Sequence, residues 1–241
     1  MDESARLMTV LRPVRAGNAF EETVERLLQA IKLGVVAKGG KLPPERELAA
    51  RLGISRVTLR EAIRALSEAG YLDVRRGRYG GAFVTYEPSE PDPGDLRQAV
   101  KEMGRAELSD ALTFRLAVES GAAQVLATTE LTGEQRDLLL RRLSDLNGAG
   151  LEDYRRLDTA FHLSIAELTG STRLATTCAD ARSRVSDLLN AIPMLHVNLE
   201  HSALQHRAIA EAILAGDPDA ARRAVAEHLE GTAALLRAFL T

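Results

Sequence analysis

The chain has 241 residues, of which 45% are hydrophobic, 27% charged and only 4% aromatic, with a formal net charge of −3. This length suits two domains, and no apolar run approaches the roughly 18 residues that a membrane span needs. The N-terminal sequence MDESARLMTVLRPVRAGN lacks the apolar core of a secretion signal, and the single cysteine, Cys178, excludes an intrachain disulfide. A cytoplasmic location is therefore expected.

The charge is distributed unevenly along the chain. Residues 1–86 hold 15 Lys and Arg against 10 Asp and Glu, a net charge of +5, so the remainder carries −8 to reach the total of −3. A basic N-terminal third joined to an acidic remainder is typical of a DNA-binding module attached to a domain of another kind. Ordinary scatter could also produce an excess of this size, so the charge supports DNA binding only together with the motifs.

The first predicted elements are helical. Residues 1–17 are predicted to form a flexible arm, followed by a helix from residue 18 to about residue 33. The segment 41–69 predicts two short helices joined by a tight turn. Gly53 should end the first of them, because glycine enters the left-handed conformation cheaply, and Ser55 should cap the second. This arrangement is a helix-turn-helix.

The second helix of this pair carries side chains that suit DNA. In a helix-turn-helix its N-terminal turn enters the major groove, where arginine can bind O6 and N7 of guanine and hydroxyl groups can bind phosphate. The alternative is a solvated arginine face on an ordinary helix pair. The residues placed to meet DNA are Ser55, Arg56, Val57, Thr58 and Arg60.

A β-hairpin is predicted directly after the helix pair. Residues 71–75 and 82–86 alternate like strands, and residues 76–81 between them form a basic, glycine-rich turn. Such a hairpin is the wing of a winged helix, and its glycines permit close approach to the sugar-phosphate backbone. A wing after a helix-turn-helix is more specific than either feature alone.

Residues 20–86 resemble the winged-helix domain of the GntR transcription regulators. The matching stretches are LPPERELA at 42–49, GISRVTLREAI at 53–63 and GRYGGAFV at 77–84. One departure is Pro44, where many members carry a capping Ser, although proline is tolerated in a first helical turn. The residues that the resemblance places at DNA are Arg46, Ser55, Arg56, Thr58 and Arg60, with Gly80 or Gly81 in the wing.

The remainder of the chain is predicted to be helical. Residues 87–95, EPSEPDPGD, are predicted to be a linker between a DNA-binding domain at 18–86 and a second domain at 96–241. The second domain is expected to be an all-α bundle of six or seven helices. The predicted helices are 96–103, 107–127, 133–147, 151–169, 171–191, 198–215 and 218–239.

The spacing of an aspartate and three histidines predicts a metal site in this bundle. Asp158 and His162 are four residues apart and share one helix face. His206 and His228 lie about 15 Å on either side of a turn centred near residue 217, so antiparallel helices would hold them level. Such donors suit Zn²⁺, Ni²⁺ or Mn²⁺ and leave room for a water or a ligand oxygen. The alternative is a hydrogen-bonded Asp–His pair and two histidines that are level by chance.

Residues 106–235 resemble the FCD domain, the all-helical effector domain of the FadR-type branch of GntR regulators. In many such domains an Asp and three His bind a divalent metal over which a carboxylate effector docks, which implies Asp158, His162, His206 and His228 here. Departures are Ser171 and Thr172, where Asn is common, and His201 as an extra candidate. The matching stretches are FRLAVESGAA at 114–123, DTAFHLSIAELTG at 158–170, QHRAIAEAILAGDPDAA at 205–221 and EHLE at 227–230.

Arg115 occupies the position of an arginine that opens a helix in the FCD family. Its charge could hold an effector carboxylate. An ion pair with Glu119, four residues further along the same helix, is an equally good interpretation.

These features together predict a mainly α, homodimeric transcription regulator, expected to be a repressor. It would bind a near-palindromic operator and respond to an organic acid held at the metal site. Two alternatives stay open: a metal-free regulator that senses an acyl-type ligand, and a DNA-tethered metal-dependent hydrolase. For a hydrolase, Glu167 is the only nearby carboxylate that could act as general base, and it is rotated off the His162 face.

Overall fold

The computed structural model describes residues 19–77, 79–87, 93–190 and 196–238, and within these ranges it has nine helices and one two-stranded antiparallel sheet. The predicted fold class is confirmed: a winged helix-turn-helix precedes an all-helical domain. The elements are α1 (Ala19–Lys32), α2 (Glu45–Leu52), α3 (Arg56–Glu68), β1 (Leu72–Arg75), β2 (Gly81–Val84), α4 (Pro93–Ala127), α5 (Gly133–Asn147), α6 (Leu151–Leu168), α7 (Thr172–Asn190), α8 (His196–Leu214) and α9 (Pro218–Ala238).

The chain divides into two compact units, Met1–Pro88 and Ser89–Thr241. The arm predicted at residues 1–17 lies outside the described residues, and so do residues 88–92 of the predicted linker. The helix α4 begins at Pro93, inside the segment predicted to be a linker. Proline is well suited to this position, because the first helical residue has no use for a backbone donor.

The first unit is built around the helix pair α2 and α3. Gly53 ends α2 in the left-handed conformation, at φ 68° and ψ 29°, and its N–H bonds to the carbonyl of Ala49. Ser55 then caps α3, because its hydroxyl accepts a hydrogen bond from the backbone N–H of Thr58 at 3.0 Å. The core between α1, α2 and α3 contains four fully buried leucines: Leu27, Leu48, Leu52 and Leu59.

The hairpin β1–β2 forms the wing. Leu72 lies opposite Val84 and Arg75 opposite Gly81, and each strand is shorter than predicted. Between the strands, a Cβ added at Gly80 would lie 2.3 Å from the carbonyl oxygen of Arg75. The turn can therefore close this tightly only with glycine at that position.

The helical run Pro93–Ala127 of the second unit is divided at Gly104. Gly104 has φ 78° and ψ 157°, which is not a helical conformation, so two helices meet at a kink there. Two helices were predicted, at residues 96–103 and 107–127, and Gly104 lies in the gap between them. The prediction of two helices is therefore confirmed, although the first of them begins earlier, at Pro93.

The helices of the second unit pack around an aliphatic core. The helix α4 packs against α7 and α9, α9 against α8, and α5 against α6. One cluster of this core contains Val100, Leu108, Ala111, Leu112, Val185, Leu188, Leu189, Ala233 and Leu236.

Cys178 on α7 is also buried, and its Sγ lies 3.8 Å from the carbonyl oxygen of Val118. Among the described residues, no helix is long and apolar enough to cross a bilayer.

Truncating Leu59 should destabilise the first unit strongly. Its side chain is 0% exposed in the first turn of α3, so Leu59→Ala should lower the free energy of unfolding by about 2–5 kcal/mol through lost burial and a cavity. Val57→Ala, on the same helix but 64% exposed, should change it by less than about 0.5 kcal/mol. Urea denaturation followed by circular dichroism measures both, and equal losses would contradict the packing described.

Candidate metal centre and recognition helix

The helix α6 supplies the first two residues of the candidate centre. Asp158 and His162 are one helical turn apart, and both lie on the buried side of α6. The ring of Phe161 packs edge-on against His162, with ring centroids 5.5 Å apart, and closes the site on that side. Residues 160–166 of α6 are all buried, so polar side chains in this segment are shielded from solvent.

The helices α8 and α9 supply the other two residues. His206 is 0% exposed and His228 is 7% exposed, and their ring centroids are 4.4 Å apart. The two imidazoles lie side by side, as was predicted from the equal distances of His206 and His228 from the turn between the two helices. His201, the additional candidate, has an exposed side chain and lies outside the group.

The four side chains converge on one small volume. One possible ligand atom from each of Asp158, His162, His206 and His228 lies within 4.8 Å of all the others. The Nε2 atoms of His162 and His228 are 3.2 Å apart. Oδ1 of Asp158 lies 3.2 Å from Nε2 of His206 and 3.8 Å from Nε2 of His162.

These distances fit a divalent metal ion. Nitrogen and oxygen ligands about 2.0–2.1 Å from a tetrahedral ion are roughly 3.4 Å from one another. The ring of His206 supports the same interpretation, since it is fully buried and neither of its nitrogens has a hydrogen-bond partner among the described residues. Its Nε2 lies 3.2 Å from Oδ1 of Asp158 without the geometry of a hydrogen bond. A buried polar atom without a partner lowers the stability of the folded protein. A metal ion would give one of the two His206 nitrogens a partner.

A second layer of polar groups orients these side chains. Glu119 on α4 lies 3.0 Å from Nδ1 of His162 through its Oε2. Oε1 of Gln205 lies 3.1 Å from Nδ1 of His228. The Nε2 atoms of both rings are thus directed toward the centre, the arrangement that metal-binding histidines normally have.

Arg182 on α7 joins this layer to the ligands. It donates from Nη2 to Oδ2 of Asp158 at 2.6 Å and from Nη1 to Oε2 of Glu119 at 2.9 Å. The guanidinium is 2% exposed. Arg182 therefore links two buried carboxylates and leaves Oδ1 of Asp158 directed to the histidines.

The two carboxylates are ionised. Burial alone would raise the pKa of Glu119, but the charges of Arg115 and Arg182 outweigh it and hold that pKa well below its usual range. Burial likewise opposes ionisation of Asp158, and His162 and Arg182 together hold its pKa well below the ordinary value. Both groups are acceptors at neutral pH.

Two of the imidazoles, those of His162 and His228, have lowered pKa values. Burial lowers the pKa of His228 well below its usual range, and His206 and His162 add to that effect. Burial, followed by the charge of Arg182, also lowers the pKa of His162. A metal ion requires neutral imidazole and ionised carboxylate, so the pKa shifts of Asp158, His162 and His228 favour the protonation states that a metal needs.

Arg115 has the ion-pair partner that the sequence offered as one of its two interpretations. Its Nε donates to Oε1 of Glu119 at 2.6 Å, and both side chains are 4% exposed. Arg115 also lines a surface pocket between α4 and α9. The ion pair does not exclude effector binding, which stays a prediction.

The recognition helix α3 presents the predicted DNA-contacting residues at the surface. Ser55, Arg56 and Arg60 are exposed, and so is Arg46 on α2, whereas Thr58 is half-buried. The hydroxyls of Ser55 and Thr58 lie 2.9 Å apart at the cap of α3.

The wing completes this surface. Arg75 stacks over the ring of Phe83, with the guanidinium carbon 4.5 Å from the ring centroid. Gly80 lies in the turn between the strands, and Gly81 is the first residue of β2. Residue 78 of the predicted basic turn lies outside the described residues. That these groups contact DNA stays a prediction.

Sequence reasoning overlooked Arg182 and Gln205 and treated Glu119 only as a partner of Arg115. A signal for Arg182 was present, since it lies in the apolar stripe of α7 between Cys178 and Val185. A charged residue in such a stripe needs a buried partner. Nothing in the spacing of Gln205 distinguishes it from a surface residue.

Comparisons with known proteins give a consistent result. The family model described as "Bacterial regulatory proteins, gntR family" matches residues 20–84, and the FCD domain model matches residues 110–231. The HTH-type transcriptional repressor NanR of Klebsiella aerogenes is 32% identical over 239 residues, covering 94% of this chain and 88% of that protein. NanR of Escherichia coli strain K12 is 31% identical over 243 residues, covering 95% and 88%.

A solved structure supports the fold. E. coli McbR/YncC is similar with a TM-score of 0.56, covering 92% of this chain and 99% of that one at 21% sequence identity. At that identity the likeness concerns the fold alone.

Replacing Arg182 should destabilise the second unit. Arg182→Met would leave Asp158 and Glu119 without a shared cation, and breaking a buried pair in this way costs about 3–5 kcal/mol in free energy of unfolding. Arg184→Met, at an exposed position on the same helix, should change it by less than about 0.5 kcal/mol. Chemical denaturation monitored by circular dichroism tests the difference, and a stable Arg182→Met protein would mean that the two carboxylates do not depend on this arginine.

Proposed function

The chain belongs to the GntR family of bacterial regulatory proteins and carries an FCD domain, and on that premise we propose that it is a repressor whose affinity for DNA is controlled by an organic acid bound at a divalent-metal site. Its family and its NanR relatives are transcription regulators. The protein is likewise a transcription regulator and not an enzyme. The hydrolase alternative is therefore set aside.

One observation carries the sensing part of the proposal. Four buried side chains from α6, α8 and α9 bring their possible ligand atoms within 4.8 Å of one another. The donor set, one carboxylate and three imidazoles, fits Zn²⁺, Ni²⁺ or Mn²⁺. Asp158, His162, His206 and His228 would hold the ion, with Glu119 and Gln205 orienting two of the rings.

The charges around the centre favour an anionic effector. Asp158 and Glu119 each carry one negative charge, and Arg115 and Arg182 each carry one positive charge, so the buried groups balance before any ion is bound. A divalent ion then adds two uncompensated positive charges, the largest local charge in such a site. Each carboxylate of a small organic acid offsets one of them, whereas an uncharged acyl group offsets none.

We propose that the pocket lined by Arg115 is where an effector approaches. It lies between α4 and α9, and Arg115 also pairs with Glu119, which contacts His162. An arginine fork can bind a carboxylate with two hydrogen bonds. We therefore assign Arg115 to effector binding in addition to its pairing with Glu119. The remaining lining residues are Leu112, Thr113, Leu116, Leu229, Glu230, Ala233 and Arg237.

The DNA-binding part of the proposal rests on α3 and the wing. Arg46, Arg56 and Arg60 would contact base edges and phosphates, and the α3 cap and the wing glycines would lie against the backbone. One winged helix makes few contacts, so a homodimer reading a near-palindrome is expected. Because duplex DNA is its partner, we place the protein in the cytoplasm.

Release of DNA requires that the effector bind one arrangement of the protein more tightly than another. A hundredfold fall in DNA affinity corresponds to a coupling free energy of about 2.7 kcal/mol, which is within the usual range for allosteric proteins.

Removing a buried histidine should abolish metal binding. In His206→Ala the affinity for divalent metal should fall by more than about 100-fold, since losing only an outer partner of a ligand already costs about 10- to 100-fold. His201→Ala, on the same helix with an exposed side chain, should bind metal like the unaltered protein. Elemental analysis of tag-free protein measures this, and equal metal content in the two variants would contradict the site.

Effector response should depend on the same histidine. When the metal-loaded protein on its operator is titrated with small mono- and dicarboxylic acids, at least one acid should weaken DNA binding by about tenfold or more. His206→Ala should still bind the operator but should not respond to that acid. Fluorescence anisotropy of labelled DNA measures both, and a response that survives in His206→Ala would favour metal-free sensing.

A further inference from the structure

Glu45, the first residue of α2, reaches across to the recognition helix. Its Oε2 accepts a hydrogen bond from Nε of Arg60 at 2.7 Å and lies 3.7 Å from Nη2 of Arg56. Arg56 and Arg60 are one turn apart on α3, and both side chains are more than half exposed, at 56% and 58%. We call these three side chains the Glu45 clamp.

The clamp restrains two arginines that would otherwise move apart. Like charges four residues apart on a helix repel each other, and an exposed arginine has many rotamers to lose on binding. A carboxylate between them offsets the repulsion and fixes the stem of Arg60. Arg60 donates to Glu45 from Nε, and its two terminal amino groups have no hydrogen-bond partner among the described residues. They remain available for a base edge.

The same carboxylate acts against binding to phosphate. Non-specific affinity for DNA comes from cations that neutralise phosphates on any sequence. A negative charge beside Arg56 and Arg60 lowers that attraction for every duplex alike. Restraint of the arginines, in contrast, benefits only the sequence whose base edges match their positions.

We propose that Glu45 is a specificity-determining residue, which directs Arg56 and Arg60 to base edges and reduces their attraction to phosphates. The inference rests on the proposed DNA contacts of α3. It adds a role for an acidic residue that makes no favourable contact with phosphate itself.

Glu47 provides a matched control. It lies on the same short helix and its carboxylate pairs with Arg51 at 2.9 Å, one turn along α2. Glu45→Gln and Glu47→Gln each remove one negative charge from a side chain of nearly equal exposure, 39% and 40%. Any general gain in attraction to DNA is therefore shared by the two variants, whereas only Glu45→Gln loosens the two arginines of α3.

The experiment compares a duplex selected by the unaltered full-length protein from a random library with a scrambled duplex of the same composition. In Glu45→Gln the ratio of affinities for the two should fall about tenfold, within the range that one good arginine–guanine contact provides. In Glu47→Gln the ratio should change by less than about twofold. Fluorescence anisotropy at fixed salt gives the affinities.

Melting temperatures and the selection itself complete the test. Both variants should melt within about 2 °C of the unaltered protein, because exposed ion pairs contribute little to stability. Equal loss of discrimination in the two variants, or none in Glu45→Gln, overturns the role of Glu45 while leaving DNA binding intact. If the unaltered protein selects no sequence, the proposed DNA contacts of α3 fail, and the role of Glu45 fails with them.

Discussion

The guanidinium of Arg182, shared by two buried carboxylates, is the interaction on which the second unit depends. It bonds to Asp158 and Glu119 at 2.6 and 2.9 Å, and Glu119 in turn contacts Arg115 and His162. Isolated charges would be too costly to bury, but here every one has an oppositely charged neighbour. This arrangement lets a carboxylate remain ionised beside three imidazoles inside an otherwise aliphatic bundle.

These ion pairs and hydrogen bonds connect α4 and α7 to the ligands of the candidate metal centre on α6. The candidate ligands come from α6, α8 and α9, whereas Glu119 and Arg182 come from α4 and α7. The helix α4 is the first helix of the second unit. Through the contact of Glu119 with His162, the centre is joined to the helix that follows the first unit in the chain.

Sequence patterns predicted those features that depend on local spacing. Gly53 and Ser55 mark the turn of the helix pair because their conformational and capping preferences are local, and the convergence of His206 and His228 follows from equal distances to one turn. Arg182 and Glu45 were not predicted, because their roles depend on which helix lies across from them. The kink at Gly104 was placed correctly, but periodicity does not distinguish a kink from a short loop.

Cys178 illustrates what burial in such a bundle implies. The only cysteine of the chain is 1% exposed, and burial raises the pKa of its thiol well above the ordinary value. Since the thiolate is the reactive form, the native side chain should be inert toward alkylating reagents while the protein is folded. A cysteine introduced at the surface would then be the sole attachment point for a spectroscopic label, without removal of the natural one.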